Sequence, residues 1–273
     1  MRNKGLFILI FSAVCGLLIV FSYLAWKDQI DSIARPVERV EANSEETEQT
    51  EEVEESNESS ENSTVLDESF TSALVNMDDS VRAVFEARQS AGETIQLLVL
   101  ASDLVDMGSP SMSDLFIDQM TSTYGDSVEI TKQTFNENSI TITQQQLIDY
   151  DGDFDVVLLE PFTLKNNGEV DIDTEHSHIT SIVGEFKNRV EDVAVVFTPP
   201  NPIYNASYYP VQVEALLSFL NEQDYPVIEH WDNWPDPKDE LIKDYLDENS
   251  RPNSQGAAAW AQAVNTYFTG ITN

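Results

Sequence analysis

The residues of this chain that could do chemistry are one serine behind an apolar run and three histidines. Ser102 follows the run at residues 95–101, and His176, His178 and His230 are the only histidines. A serine hydroxyl becomes a strong nucleophile when an imidazole takes up its proton. A serine–histidine pair is therefore the reaction centre to look for, although a serine at a strand end also commonly caps the helix that follows it.

Short apolar runs alternate with stretches of helical spacing from residue 95 onward. The predicted strands are residues 95–101, 128–134, 155–160, 193–198 and 226–229. The predicted helices are residues 112–124, 142–149, 179–189, 210–222, 241–246 and 257–268. This alternation predicts a parallel five-stranded sheet with helices on both faces, a three-layer α/β/α fold. The carboxyl ends of its strands share one edge, where Ser102 and the histidines would gather.

The N-terminal segment predicts a membrane anchor. Residues 5–26 form a run of 22 residues without a charge, and Arg2 and Lys4 precede it. That length matches a helix crossing a bilayer, and the basic residues predict a cytoplasmic tip at residues 1–4. The run exceeds the apolar core of a cleaved signal peptide, which favours an uncleaved signal anchor. We therefore expect a single-pass protein of the cell membrane with its domain outside.

Residues 27–66 are predicted to be a disordered acidic linker, and residues 67–273 the folded domain. Twelve acidic residues and no basic ones lie between Glu41 and Glu68, and such a stretch cannot bury a core. The net charge of −35 argues against nucleic acid as a partner. Cys15, the only cysteine, lies in the anchor segment, and no metal-site spacing or phosphate-binding loop stands out, so we expect no metal and no cofactor.

Two short motifs resemble those of a known family. Residues 101–104 read Ala-Ser-Asp-Leu at the end of the first strand, and residues 251–256 read Arg-Pro-Asn-Ser-Gln-Gly before the last helix. Together with the asparagine-rich exit of the third strand, they resemble the SGNH/GDSL hydrolases, which are three-layer esterases and lipases, over roughly residues 95–268. The resemblance implies that Ser102 is the nucleophile. It also implies an oxyanion hole built from the Ser102 backbone N–H and an asparagine at 166 or 167, which we assign to Asn167.

The sequence departs from the family at the catalytic base. Arg251 stands where the family has its histidine, and Glu248 stands at the place of the triad aspartate. A guanidinium stays protonated and cannot accept a proton. Either His178 or His230 has taken over as the base, with His178 slightly favoured, or the site no longer hydrolyses esters. No glycine is found at residues 136–139, where a second oxyanion donor is expected.

Two functions remain open from the sequence. The first is a membrane-anchored extracellular ester hydrolase that deacetylates a cell-wall or capsular glycan. The second is a catalytically inactive module of the same fold that binds cell-surface polysaccharide or partner proteins. In either case the predicted glycan contacts are Tyr204, Trp231, Trp234 and Asn253.

Overall fold

The computed structural model describes residues 68–271, which form three layers, a central parallel sheet with helices on each face. The strands are β1 (Ile95–Ser102), β2 (Val128–Phe135), β3 (Val156–Leu159) and β4 (Ala194–Phe197). Their spatial order is β2-β1-β3-β4, and every neighbouring pair is parallel. The helices are α1 (Glu68–Ala73), α2 (Asp79–Ala91), α3 (Met112–Tyr124), α4 (Ser139–Gln145), α5 (Thr163–Asn166), α6 (Ile172–Arg189), α7 (Tyr209–Glu222) and α8 (Ser254–Thr269). The predicted three-layer α/β/α arrangement is confirmed.

The prediction of a fifth strand at residues 226–229 is wrong. This segment forms a single bridge, between Val227 and Phe197. The Phe197 N–H donates to the carbonyl of Pro226, and the Ile228 N–H donates to the carbonyl of Phe197. Pairing ends there because the chain then turns to bury His230 against the loop after β4, so the sheet has four strands.

Alternating residues of the strands pack against opposite helix layers. Leu97 and Val99 of β1 belong to a core shared with α1, α2, α3 and α8. Leu98 and Leu100 belong to the other core, which is shared with α4, α6 and α7. All four side chains are inaccessible or nearly so, as expected for a strand that is covered on both faces.

The last helix is tied to the carboxyl edge of the sheet by a tryptophan. Trp260 of α8 is fully buried, and its indole Nε1–H donates to the hydroxyl of Thr198 at 2.9 Å, immediately after β4. Because Thr198 stands at the strand end, this hydrogen bond sets the position of α8 relative to the loops that would form a site.

No helix within residues 68–271 has the length and apolar character needed to cross a bilayer. The predicted cytoplasmic tip, signal anchor and acidic linker, at residues 1–66, lie outside the described part of the chain. They remain predictions.

Close packing at the start of α8 predicts opposite effects of two glycine substitutions. A Cβ on Gly256 would lie 2.4 Å from the carbonyl oxygen of Tyr245 and 2.7 Å from the Trp234 ring, whereas a Cβ on Gly184 of α6 meets nothing within 4 Å. We expect Gly256→Ala to lower the free energy of unfolding by about 2 kcal/mol. Gly184→Ala should raise it by up to about 1 kcal/mol, through helix propensity. Urea unfolding of both variants measures this, and equal effects would contradict the packing described.

Candidate functional site

Ser102, the predicted nucleophile, is the last residue of β1 and is fully buried. Its hydroxyl oxygen is inaccessible to solvent, and the polar side chain beside it is that of Glu160. Neither His178 nor His230 forms a hydrogen bond with this hydroxyl. His178 bonds to the hydroxyl of Ser139, and His230 bonds to the Pro199 carbonyl and the Trp234 indole. The structure therefore does not bring Ser102 together with a base.

A buried carboxylate occupies the backbone N–H that the oxyanion hole would need. Glu160 follows β3, and its Oε2 accepts the N–H of Ser102 at 2.8 Å. Its Oε1 accepts the N–H of Phe162 at 2.9 Å. Burial raises the pKa of Glu160, and the Ser102 hydroxyl, the two backbone N–H groups and the charge of Lys165 oppose the rise. The Ser102 N–H, which was predicted to donate to an oxyanion, is thus already bonded to the carboxyl group of Glu160.

The asparagines at the end of α5 do not form an oxyanion hole with Ser102 either. Asn167 is half-buried at the C-cap of α5, and the structure gives its side chain no hydrogen bond. Asn166 is fully buried, and its Oδ1 accepts the backbone N–H of Ser139 at 2.9 Å. The buried amide is therefore that of Asn166, and it accepts a hydrogen bond from the first residue of α4.

A second buried acid lies next to Glu160. Glu175 of α6 is buried and accepts a hydrogen bond from the hydroxyl of Thr163. Burial, with a further contribution from the charge of Glu160, raises the pKa of Glu175 to about 7, although the Thr163 hydroxyl opposes the rise. Sequence reasoning missed both acids. The signal available was Glu160 itself, a carboxylate that directly follows an all-apolar strand.

His178 forms a hydrogen bond with a different serine. Its Nδ1 lies 2.9 Å from the hydroxyl of Ser139, the first residue of α4. The imidazole is half-buried, and burial lowers its pKa, so the ring is neutral at pH 7. In the tautomer with a free lone pair on Nδ1, it accepts the Ser139 proton. A serine–histidine contact thus exists at this edge, but it does not include Ser102.

His230 is a structural residue. It is 1% exposed, its Nε2 donates to the carbonyl of Pro199 at 2.7 Å, and its Nδ1 accepts the indole N–H of Trp234 at 2.9 Å. The ring stacks on Trp260 with centroids 4.8 Å apart. Burial lowers the pKa of His230 to about 3. With both nitrogens occupied and no access to solvent, this histidine cannot act as a general base.

An ion pair holds the side chain at the position of the family's histidine. The guanidinium of Arg251 binds Asp247, with its Nε 2.8 Å from Oδ2. Glu248 is exposed and makes no ion pair among the described residues. The Lys165 ammonium binds Asp103 at 2.6 Å. The Asp103 carboxylate also contributes to the raised pKa of Arg251, after the larger contribution of Asp247, so two cations act on Asp103.

Asp103 is the side chain that reaches the rim beside Ser102. Compared letter by letter with Gly-Asp-Ser-Leu, the Ala-Ser-Asp-Leu at residues 101–104 puts Asp103 at the serine position. The side chain of Asp103 is 29% exposed, whereas Ser102 is sealed. The order of the two letters was the signal that the assignment of the nucleophile to Ser102 overlooked.

Two of the four predicted glycan contacts, Trp234 and Asn253, form hydrogen bonds within the domain. Trp234 is 6% exposed and donates its indole N–H to His230. Asn253 caps α8: its Oδ1 accepts the N–H of Gln255 at 2.8 Å, and its Nδ2 donates to the carbonyl of Asp244 at 2.8 Å. The roles predicted for Trp234 and Asn253 in binding a ligand are therefore not supported, because burial or capping occupies them.

The other two remain accessible. Tyr204 is half-buried, with the Lys243 ammonium 4.0 Å from its ring centroid. Trp231 is half-buried and lines a groove of about 400 Å³ between α7 and the loop after β4. Within residues 68–271, no group of three or more histidine, cysteine or acidic side chains has the arrangement of a metal site.

Solved structures match nearly two thirds of this chain and almost the whole of their own length. A GDSL-like lipase from Parabacteroides merdae superposes with a TM-score of 0.53 at 10% identity, covering 64% of this chain and 95% of its own. A carbohydrate esterase of family 3 from Talaromyces cellulolyticus gives 0.52 at 15% identity, with coverages of 63% and 95%. The fold is that of the SGNH/GDSL hydrolases.

An acetylxylan esterase from Geobacillus stearothermophilus shares the SGNH/GDSL fold with this chain as well, with a TM-score of 0.52 at 11% identity and coverages of 64% and 94%. No family model and no curated protein sequence matches the chain significantly. Similarity at this level of identity establishes the SGNH/GDSL fold. The chemistry must be argued from the residues at the edge of the sheet.

The raised pKa of Glu175 predicts a pH dependence of stability. Its folded value of about 7 exceeds its ordinary value of 4.5, so the folded state binds more protons between these two pH values. The contribution of Glu175 is therefore fully present below pH 4.5 and is lost as the pH rises through 7, by up to about 3 kcal/mol.

Urea unfolding at pH 5 and pH 8 measures this loss. We expect Glu175→Gln to flatten the decline, because a neutral amide has no proton to lose. Glu137→Gln, at an exposed glutamate, should leave it unchanged. Equal slopes for the wild type and Glu175→Gln would contradict the burial argument.

Proposed function

We propose that this SGNH/GDSL-like domain is a glycan-binding module that does not hydrolyse esters. One observation carries the proposal: the Glu160 carboxylate holds the Ser102 N–H at 2.8 Å. A tetrahedral oxyanion needs free donors at the end of the first strand, and the carboxyl group of Glu160 already occupies one of them. The chain keeps the fold but not the electrostatics of ester cleavage.

The residues that would generate the nucleophile support the same conclusion. The Ser102 hydroxyl is sealed from solvent, and His230 has no free nitrogen. Arg251 is bound to Asp247 and cannot take up a proton at any working pH. Without a base, the serine is a poor nucleophile.

Sugar binding is supported by the groove beside Trp231. A half-buried indole in a cleft of about 400 Å³ offers a flat apolar face, and sugar rings stack on such faces through their C–H groups. The predicted signal anchor at residues 5–26 and acidic spacer at residues 27–66 would hold such a module on the outer surface of a cell. There its ligand would be a wall or capsular polysaccharide.

Ester hydrolysis is the second candidate, and the Ser139–His178 contact is the observation that favours it. The hydroxyl and the imidazole nitrogen lie 2.9 Å apart, which is the distance required between a nucleophile and its base. Ser139 itself is 1% exposed, so a substrate could reach it only after a movement of α4 or of the loop before it.

An esterase assay on the full chain separates the two candidates. With p-nitrophenyl acetate and acetylated xylan as substrates, we expect the wild type to release no more product than the spontaneous reaction. Ser102→Ala should behave identically. Turnover that Ser102→Ala abolishes would overturn the proposal, whereas turnover lost in Ser139→Ala and in His178→Ala but kept in Ser102→Ala would establish the second candidate.

Binding provides the positive test. We expect the full chain to bind cell-wall or capsular polysaccharide, and Trp231→Ala to weaken this binding by about tenfold or more, because the stacking face is removed. Trp231→Phe should retain part of the affinity. Val75→Ala, at an exposed apolar side chain outside the groove, serves as the control and should change little. Binding that is unaffected by Trp231→Ala would exclude this groove as the site.

A further inference from the structure

The groove beside Trp231 has one helical wall with two parallel stripes. Pro210, Val213 and Leu217 of α7 line it with apolar surface. The second stripe is polar and consists of Glu214, Ser218 and Asn221, also on α7. Positions separated by seven residues on a helix lie about 10 Å apart, so the polar stripe runs the length of a disaccharide.

The polar stripe is free to bind. Glu214, Ser218 and Asn221 are exposed, and the structure gives their side chains no hydrogen bond or ion pair within residues 68–271. Glu229, on the opposite wall, is likewise exposed and without an ion pair in that range. Two residues with carboxylate side chains, Glu214 and Glu229, therefore line the groove.

Trp231 is held in place before any ligand arrives. Its indole Nε1–H donates to the carbonyl of Pro200 at 2.8 Å, and its ring lies against Tyr209 with centroids 5.9 Å apart. Pro199, next to it, adds a rigid apolar surface. A fixed aromatic plane loses little conformational entropy when a sugar stacks on it, which favours binding.

The charge of the groove selects among glycans. No lysine or arginine is among its lining residues, and His230, which contributes to the floor, is neutral. The full chain carries a net charge of −35. Uronates and phosphate-bearing polymers are repelled by such a site, whereas an ammonium group is attracted and has three donors to offer to carboxylates.

From these contacts we infer that the groove binds a glycan with free amines, made of glucosamine-type units. The apolar face of one ring stacks on Trp231, and its ammonium group pairs with Glu214 or Glu229. Ser218 and Asn221 provide hydrogen bonds to ring hydroxyls. This inference rests on the proposed glycan-binding function and specifies its ligand class.

Calorimetric titration of the full chain with three oligosaccharides of equal length tests the inference. The probes are a β-1,4-linked glucosamine oligomer, its fully N-acetylated counterpart and an oligogalacturonate. At pH 6 and low salt, we expect the amine oligomer to bind at least tenfold more tightly than the acetylated one, and the galacturonate not to bind.

Matched variants separate the groove from the general negative charge of the chain. Glu214→Gln combined with Glu229→Gln should remove the preference for the amine, at least tenfold in Kd. Glu137→Gln combined with Glu191→Gln changes the net charge equally at two exposed positions outside the groove and should have little effect. An equal loss in both double variants would overturn the inference, because it would show attraction to the whole chain. Circular dichroism confirms that each variant is folded.

The remaining outcomes distinguish this inference from the proposed function. If the acetylated oligomer binds as tightly as the amine oligomer and Trp231→Ala abolishes both, the amine preference is wrong and glycan binding stands. If no oligosaccharide and no polysaccharide binds in a Trp231-dependent manner, both fail. A lysine peptide of equal charge that competes as well as the amine oligomer would overturn the assignment of a sugar ligand.

Discussion

The carboxyl edge of this domain is organised by one buried carboxylate. Glu160 stands at the end of β3, and it accepts the backbone N–H groups of Ser102 and Phe162. A buried carboxyl group needs hydrogen bonds in place of its hydration, so these donors are committed to it. They join the ends of two neighbouring strands and hold Phe162 in a left-handed conformation, with φ +66°. The interaction that makes the edge rigid therefore also removes the donors that a hydrolase would leave free.

Each of the three histidines also has a packing or hydrogen-bonding partner other than Ser102. His176 stacks on Phe219 with centroids 4.2 Å apart, His178 binds the hydroxyl of Ser139, and His230 lies between Pro199 and two tryptophans. Each lies near the edge where a base would be expected, and none bonds to Ser102. The edge offers fixed hydrogen bonds, ion pairs and a rigid aromatic wall, which suit recognition of a ligand better than a reaction that moves protons.

Local sequence patterns predicted helix bounds correctly where the residues within the helix and its cap determine them. The helix predicted at residues 112–124 has those bounds in the structure, because Ser111 and Asp114 form a capping box before a regular apolar face. The helix predicted at residues 179–189 begins earlier, at Ile172. Its start was readable from Asp171, whose side chain accepts the N–H of Thr174, but the apolar spacing begins only at Ile179.

The sequence alone determined the order of strands and helices along the chain, because hydrophobic periodicity is a property of neighbouring residues. That order also determined the edge of the sheet where the candidate residues meet. The tertiary structure decided whether those residues could react. Ser102 and Glu160 are separated by 58 positions, and nothing local reveals that a carboxylate would take the serine's N–H. The burial of His230 between Pro199 and Trp234, and the reduction of the fifth strand to one bridge, likewise depend on contacts between distant segments. Such contacts follow from packing in three dimensions, which the periodicity of a single segment does not encode.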